Sequence, residues 1–180
     1  MNAWNDAKVK TLIMTAMFAA LCCVATSSIR IPTPVTGGYI HPGDSMVILS
    51  GVFLGPFWGF LAGSIGSALS DIIGGYGIYV PATILIKGLV SMSAGLIYRA
   101  IGHSEKTRHI AVVLGGAADV VIVTLGYMIY ESFLYGLATS IAGMPSSLVQ
   151  SSIGTVLAVL IYPLLMAVPE LRRTANRISS

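Results

Sequence analysis

The amino-acid sequence predicts an all-α membrane protein: six transmembrane helices in one bundle, with both termini cytoplasmic. Composition is the first reason. Of 180 residues, 55% are hydrophobic and 9% are charged, whereas a soluble domain carries about 25% charged residues. The second is a series of apolar segments with the length a bilayer requires, about 20 residues per helix. The third is the placement of the basic residues, which gives the segments an orientation. The length leaves room for one integral-membrane domain, 1–180, and no separate soluble one.

The first apolar segment runs from about Val9 to Ser28, behind Lys8 and Lys10. Basic residues, an apolar stretch from Leu12 and the small residues Ala25-Thr26-Ser27 also fit a cleavable leader. At about 18 residues, the stretch suits a spanning helix. Cys22 and Cys23 are adjacent. Neighbours on a helix point about 100° apart, so the two read as small packing residues rather than a bridge or metal site. A Pro/Gly-rich stretch, Ile31-Pro32-Thr33-Pro34-Val35-Thr36-Gly37-Gly38-Tyr39-Ile40-His41-Pro42-Gly43, follows as a structured loop.

The region from Asp44 to Gly74 is apolar but broken at Gly55-Pro56. Three more apolar segments follow: Ile78 to Ile101, Ile110 to Gly136, and Pro145 to Val168. Eight of the ten Lys and Arg fall in three clusters: Lys8 and Lys10; Arg99, Lys106 and Arg108; Arg172, Arg173 and Arg177. The positive-inside rule puts all three in the cytoplasm. Parity then requires the region 44–74 to be two short crossings hinged at Gly55-Pro56, or a re-entrant pair. The first, 45–55, is only about 17 Å long as a helix and must be shielded by neighbours or continue past its apolar run. The outer loops become Ile29–Gly43, Gly75–Gly77 and Leu137–Met144.

Gly51, Gly55, Gly59 and Gly63 recur every four residues, with Gly66 and Ser67 beyond. Such spacing lets helix backbones approach closely in lipid, either within the bundle or against a sliding partner. Ala16 and Ala20 give the first segment a small face with the same two readings. Asp71, Lys87, Asp119 and Glu131 lie inside apolar segments, where charge is costly and faces an interior or a wet cavity. The orientation puts Asp71, Lys87 and Glu131 in the outer half. Pairing of Lys87 with Asp71 or Glu131 would explain how they are tolerated.

Tyr127, Glu131 and Tyr135 share one helix face, with Tyr130 adjacent. Ser146, Ser147, Gln150 and Ser151 open the last segment, and Tyr39 and His41 sit in the loop. The tyrosines fit an interfacial aromatic belt or a site that sandwiches a flat ring and hydrogen-bonds its edge. Candidate substrate-binding residues are therefore Tyr39, His41, Lys87, Tyr127, Glu131 and Gln150. Phosphate-loop, zinc-protease and Cys/His metal spacings are absent, as is a basic, aromatic-interleaved patch for nucleic acid. Asp71 and Asp119 lie toward opposite faces, against an intramembrane aspartyl dyad. No catalytic residue, metal or cofactor is assigned.

Taken together, the chain resembles the substrate-binding S component of energy-coupling factor vitamin transporters, of the hydroxymethylpyrimidine or pyridoxine-like type. The resemblance spans nearly the whole chain. It rests on the segment count, the long first outer loop and Ala16-Met17-Phe18-Ala19-Ala20, together with His41-Pro42-Gly43-Asp44 and Gly55-Pro56-Phe57-Trp58-Gly59. It implies a multi-pass protein of the bacterial cell membrane that binds a small-molecule vitamin or precursor from outside. The implied partners are a transmembrane coupling subunit, docked on Ala16 and Ala20, and two ATP-binding-cassette ATPases. A proton-coupled secondary transporter using Asp119 or Glu131 is the alternative.

Overall fold

The computed structural model describes residues 3–33 and 35–178, without the side chains of 3–7; Pro34 of the loop lies outside the described residues. Helix α1, Ala3–Ser28, buries Thr15, Phe18, Ala19, Cys22 and Thr26, a single face at three- and four-residue spacing. Cys22 and Cys23 are free thiols, Cys22 fully buried. A two-residue antiparallel ribbon, β1 (Ile31–Pro32) with β2 (Tyr39–Ile40), then organises the loop. This ribbon is too short to be read from periodicity.

Helix α2, Asp44–Gly74, is two arms. Gly55 has φ +80° and ψ 177°, a conformation that L side chains rarely adopt, and the chain reverses there. The arms pack antiparallel through glycine: a Cβ on Gly59 would lie 2.6 Å from Gly51 Cα, and one on Gly63 would lie 3.2 Å from Val47 Cγ1. Gly66 performs the same service for α1, since its Cβ would lie 2.2 Å from the Ala19 carbonyl oxygen. Gly51, Gly59, Gly63 and Gly66 are all buried. The ladder thus packs the bundle and offers no sliding surface to a partner. The short first arm is shielded by its neighbours: of residues 44–55, only Met46 is not buried.

A 3-10 turn, Gly77–Tyr79, leads into α3, Val80–Ile101. Helix α4, Glu105–Tyr135, starts five residues before the apolar run because Ser104 and Thr107 cap it reciprocally. Helix α5, Leu137–Met166, corrects the expected loop 137–144. Gly136, at φ +87°, makes the whole reversal, and residues 137–144 are helical. Helix α6, Pro169–Ile178, had no apolar signal to announce it. It buries Ala175, and its Ile178 lies against Gly55.

Among the described residues five helices, α1 to α5, are long and apolar enough to cross a membrane. Counting the arms of α2 separately gives six antiparallel segments plus α6. Around an apolar core the bundle also encloses polar side chains, and its exterior is apolar. Asp44, Ser50, Ser64, Ser67, Lys87, Ser91, Asp119 and Ser151 are interior, while Ile73, Phe133, Leu160 and Leu164 face outward. Lipid as the surrounding solvent accounts for both.

Candidate ligand-binding site

The pocket lies at the end of the bundle away from Gly55 and α6. The loop 29–43 forms one wall. The end of α2, the 3-10 turn with the start of α3, the end of α4 and the start of α5 form the others. Its empty space, counting the open mouth, is about 480 Å³. Thr33, Thr36, Tyr39, His41, Asp71, Tyr79, Thr83, Tyr127, Glu131, Ser146, Ser147 and Gln150 line it, with Gly38, Ile40 and Gly143.

The loop is held from below. Arg30 donates through one guanidinium nitrogen to the Ser70 carbonyl at 2.9 Å and to the hydroxyls of Ser27 and Ser70 at 3.0 and 3.1 Å. Gly74 makes room for it, as a Cβ there would come within 2.6 Å of the guanidinium. The Arg30 guanidinium also lies 5.3 Å from the centre of the Tyr39 ring, within cation–π range. Tyr39 in turn packs on Tyr76 and His41, at 4.3 and 5.1 Å between ring centres. Its hydroxyl donates to Asp71 Oδ1 at 2.7 Å. Burial and the Asp71 carboxylate hold that phenol well above its ordinary range.

His41 Nδ1 accepts the Gly43 backbone N–H at 3.1 Å, which leaves the ring proton on Nε2. Burial pushes the imidazole down to about 4, so at neutral pH it is an uncharged donor. On the opposite wall, the Tyr79 hydroxyl lies 2.6 Å from the Thr36 carbonyl and 3.2 Å from Glu131 Oε1. The hydroxyls of Thr83 and Tyr127 are 3.0 Å apart. Tyr79 thereby ties the loop to α4 at the mouth.

The floor is ionic. Lys87 Nζ donates to Asp44 Oδ1 at 2.5 Å, with both side chains 0% exposed. Gln150 Nε2 donates to Asp44 Oδ2 at 3.0 Å. The partner of Lys87 is therefore Asp44, not Asp71 or Glu131. Asp44 opens the first arm of α2, and Gly154 of α5 admits it closely: a Cβ on Gly154 would lie 2.6 Å from Asp44 Cβ. Asp71 and Glu131 remain on the pocket walls.

Of the residues expected to contact substrate, Tyr39, His41, Tyr127, Glu131 and Gln150 surround this one cavity. Lys87 does not line it. Its charge is spent on Asp44, and its ammonium lies 5.5 Å from the Tyr127 ring centre. Tyr135, grouped with Tyr127 and Glu131 by spacing, stays outside. Tyr130 donates to the Ile78 carbonyl beside the turn. Tyr79, Thr36 and Thr83 also line the cavity, and Asp44 holds Gln150 from behind; residue spacing singles out none of the four. The signal for Asp44 is present, since a lysine inside an apolar helix demands a buried carboxylate, but Asp44 stands at the edge of its apolar segment rather than inside it. Ala16 and Ala20 are exposed on α1, on the face away from the bundle.

The lining has a consistent chemistry. Two carboxylates, several hydroxyls, an amide and a neutral imidazole surround the space, with tyrosine faces for a ring to rest on. Among the described residues the lining contains neither lysine nor arginine.

The comparisons agree with this architecture. The profile of the family described as ECF-type riboflavin transporter, S component, matches residues 6–167. A protein of uncharacterised function from Pyrococcus woesei is 33% identical over 134 residues, covering 74% of this chain and 86% of that one. The thiamine precursor transporter HmpT of Lactococcus lactis subsp. cremoris is 27% identical over 166 residues, 92% of this chain and 93% of its own. A solved structure described as the S component of a bacterial ECF transporter superposes with a TM-score of 0.64 at 18% identity, over 89% of this chain and 97% of that one. With a family profile spanning most of its length and the same fold in a solved S component, this multi-pass chain belongs to the S-component family of ECF-type transporters.

Proposed function

We propose that this chain is the high-affinity binding subunit for a vitamin or vitamin precursor, of hydroxymethylpyrimidine or pyridoxine-like type, and that it takes its ligand from the outer face. The observation that carries this is the acceptor-rich, tyrosine-walled pocket at one end of the bundle. The basic clusters gather at the other end. Lys10, Arg173 and Arg177 share a cleft there with Leu54 and Trp58, and Arg108 and Arg172 share a second. By the positive-inside rule that end is cytoplasmic, and the pocket opens outward.

An aminopyrimidine suits the lining. Its ring rests between tyrosine faces, its amine donates to Glu131, and its ring nitrogens accept from Gln150 or His41 Nε2. A pyridoxine-like ring would use the same carboxylate for its hydroxyls. The likeness to HmpT, a thiamine precursor transporter, supports the first. Family membership supports the further reading that a transmembrane coupling subunit and two ATP-binding-cassette ATPases drive uptake, with Ala16 and Ala20 meeting the coupling subunit. Helix α1 is suited to that: Leu12, Ile13, Met17 and Val24 flank the alanines and are exposed.

The test is calorimetry on the purified chain with hydroxymethylpyrimidine and with pyridoxine, beside mass spectrometry of any small molecule that co-purifies. Tight binding of one of them is expected. A co-purifying ligand of another class, with neither compound binding, sinks the ligand assignment. Uptake by this chain alone in proteoliposomes, driven by a pH gradient, sinks the subunit assignment.

A further inference from the structure

Beneath the pocket floor lies a side chain that the ligand site does not use. Asp119, on α4, is 0% exposed, and neither carboxyl oxygen has a hydrogen-bond partner among the described residues. Helix packing places it opposite the Lys87–Asp44 pair. Gly115, one turn before Asp119, faces Ile48 of α2 and Ala94 of α3; Ile48 lies one turn after Asp44. Stepping one turn toward the pocket on both helices brings Asp119 and Asp44 to the same level. Asp44 and Lys87 are the charges whose fields act on Asp119. Helix α5, packed on the other side, contains no Asp, Glu, Lys, Arg or His. On α4 itself the nearest ionisable side chains, Tyr127 and His109, are two turns or more away.

The cluster therefore holds two carboxylates and one ammonium out of reach of the bulk solvent that would compensate a surplus charge. Lys87 makes its hydrogen bond to Asp44, and Gln150 adds a second donor to the same carboxylate. Asp119 receives neither. An isolated buried carboxylate is far more costly than its neutral acid. We propose that Asp119 is a proton-binding site that stays loaded for as long as Asp44 holds Lys87. Asp44 is bonded to Gln150, a lining residue of the ligand pocket, so the ion pair that Asp119 faces lies one hydrogen bond from the cavity.

The test needs no ligand. The full chain, labelled with 13C-aspartate in lipid nanodiscs at pH 7, is examined by infrared spectroscopy. The expected spectrum shows the carbonyl stretch of a protonated aspartic acid, and Asp119→Asn removes it. Because Asn resembles the neutral acid in shape and charge, Asp119→Asn should melt no lower than the parent from pH 6 to 8. In Asp44→Asn, Lys87 is free to pair with Asp119, the proton leaves to solvent, and the band disappears. A parent spectrum without the band overturns the proposal, as does a band that survives Asp119→Asn or Asp44→Asn, or a marked fall in melting temperature in Asp119→Asn. If Asp44→Asn does not fold, the parent and Asp119→Asn measurements still decide.

Discussion

Replacing Lys87 by Met removes the ammonium while keeping most of the volume of the stem. Both members of the pair are 0% exposed, so solvent cannot take over the role of Lys87. Breaking a buried pair from one side costs about 3–5 kcal/mol, because the surviving charge is stranded. Asp44 keeps the Gln150 amide at 3.0 Å and can take up a proton, which places the cost near the lower end, about 3 kcal/mol. For a chain of this size that corresponds to a fall of roughly 6–12 °C in melting temperature. The assay is thermal unfolding of the purified protein in detergent at pH 7. It is run as a double-mutant cycle with Asp44→Asn, and the double variant should recover most of the loss, since neither charge is then left alone. A single Lys87→Met variant within about 1 kcal/mol of the parent, or strictly additive losses, would refute the floor as an obligate ion pair.

Glu131→Ala should weaken binding of hydroxymethylpyrimidine about 10- to 100-fold by calorimetry, the worth of one charge-assisted hydrogen bond, with melting little changed. Binding as tight as in the parent would remove Glu131 from the site. His41 is held down to about 4 against an ordinary 6.5, so between those pH values the unfolded chain takes up a proton that the folded chain refuses. Stability should be flat above pH 6.5 and fall below it, by about 2 kcal/mol at pH 5. The same scan on His41→Asn should lack that share of the slope. Ala16→Trp and Ala20→Trp should abolish uptake in cells carrying the partner subunits while leaving ligand affinity intact. Loss of affinity would place that face inside the bundle rather than on a docking surface.

Sequence reasoning read most of the fold because the bilayer constrains it so tightly. Basic-residue parity required a reversal at Gly55-Pro56, and the positive φ of Gly55 supplies it. Where the reading missed, the determinant was local. One glycine at position 136 replaces an eight-residue loop. Helix α6 is amphipathic and charged, so hydropathy passes over it. In the site, five residues chosen for chemistry converge on one cavity because a bundle has few places to put polar side chains. The partner of Lys87 is hidden because Asp44 stands at the edge of its apolar segment, where a carboxylate reads as part of the loop. Only the fold shows that the first arm of α2 carries Asp44 to it. Tyr79 went unnoticed for a similar reason: its value lies in bridging Thr36 and Glu131, two positions that sequence does not bring together.

The shortest segment of the bundle has a further consequence. The arm before Gly55 is too short to serve as a boundary with lipid and is enclosed by the other helices, so the bilayer places no demand on its composition. It can therefore carry Asp44, Ser45 and Ser50 at buried positions, and it connects the pocket floor to the far end, where Ile178 abuts Gly55. Evolution can retune the outward faces of α4 and α5 with any apolar residue, while a change along this inner strut is felt at both ends of the molecule. In a saturation scan, tolerance should be lowest over residues 44–55, and hydrophobic replacements there should fail as often as polar ones.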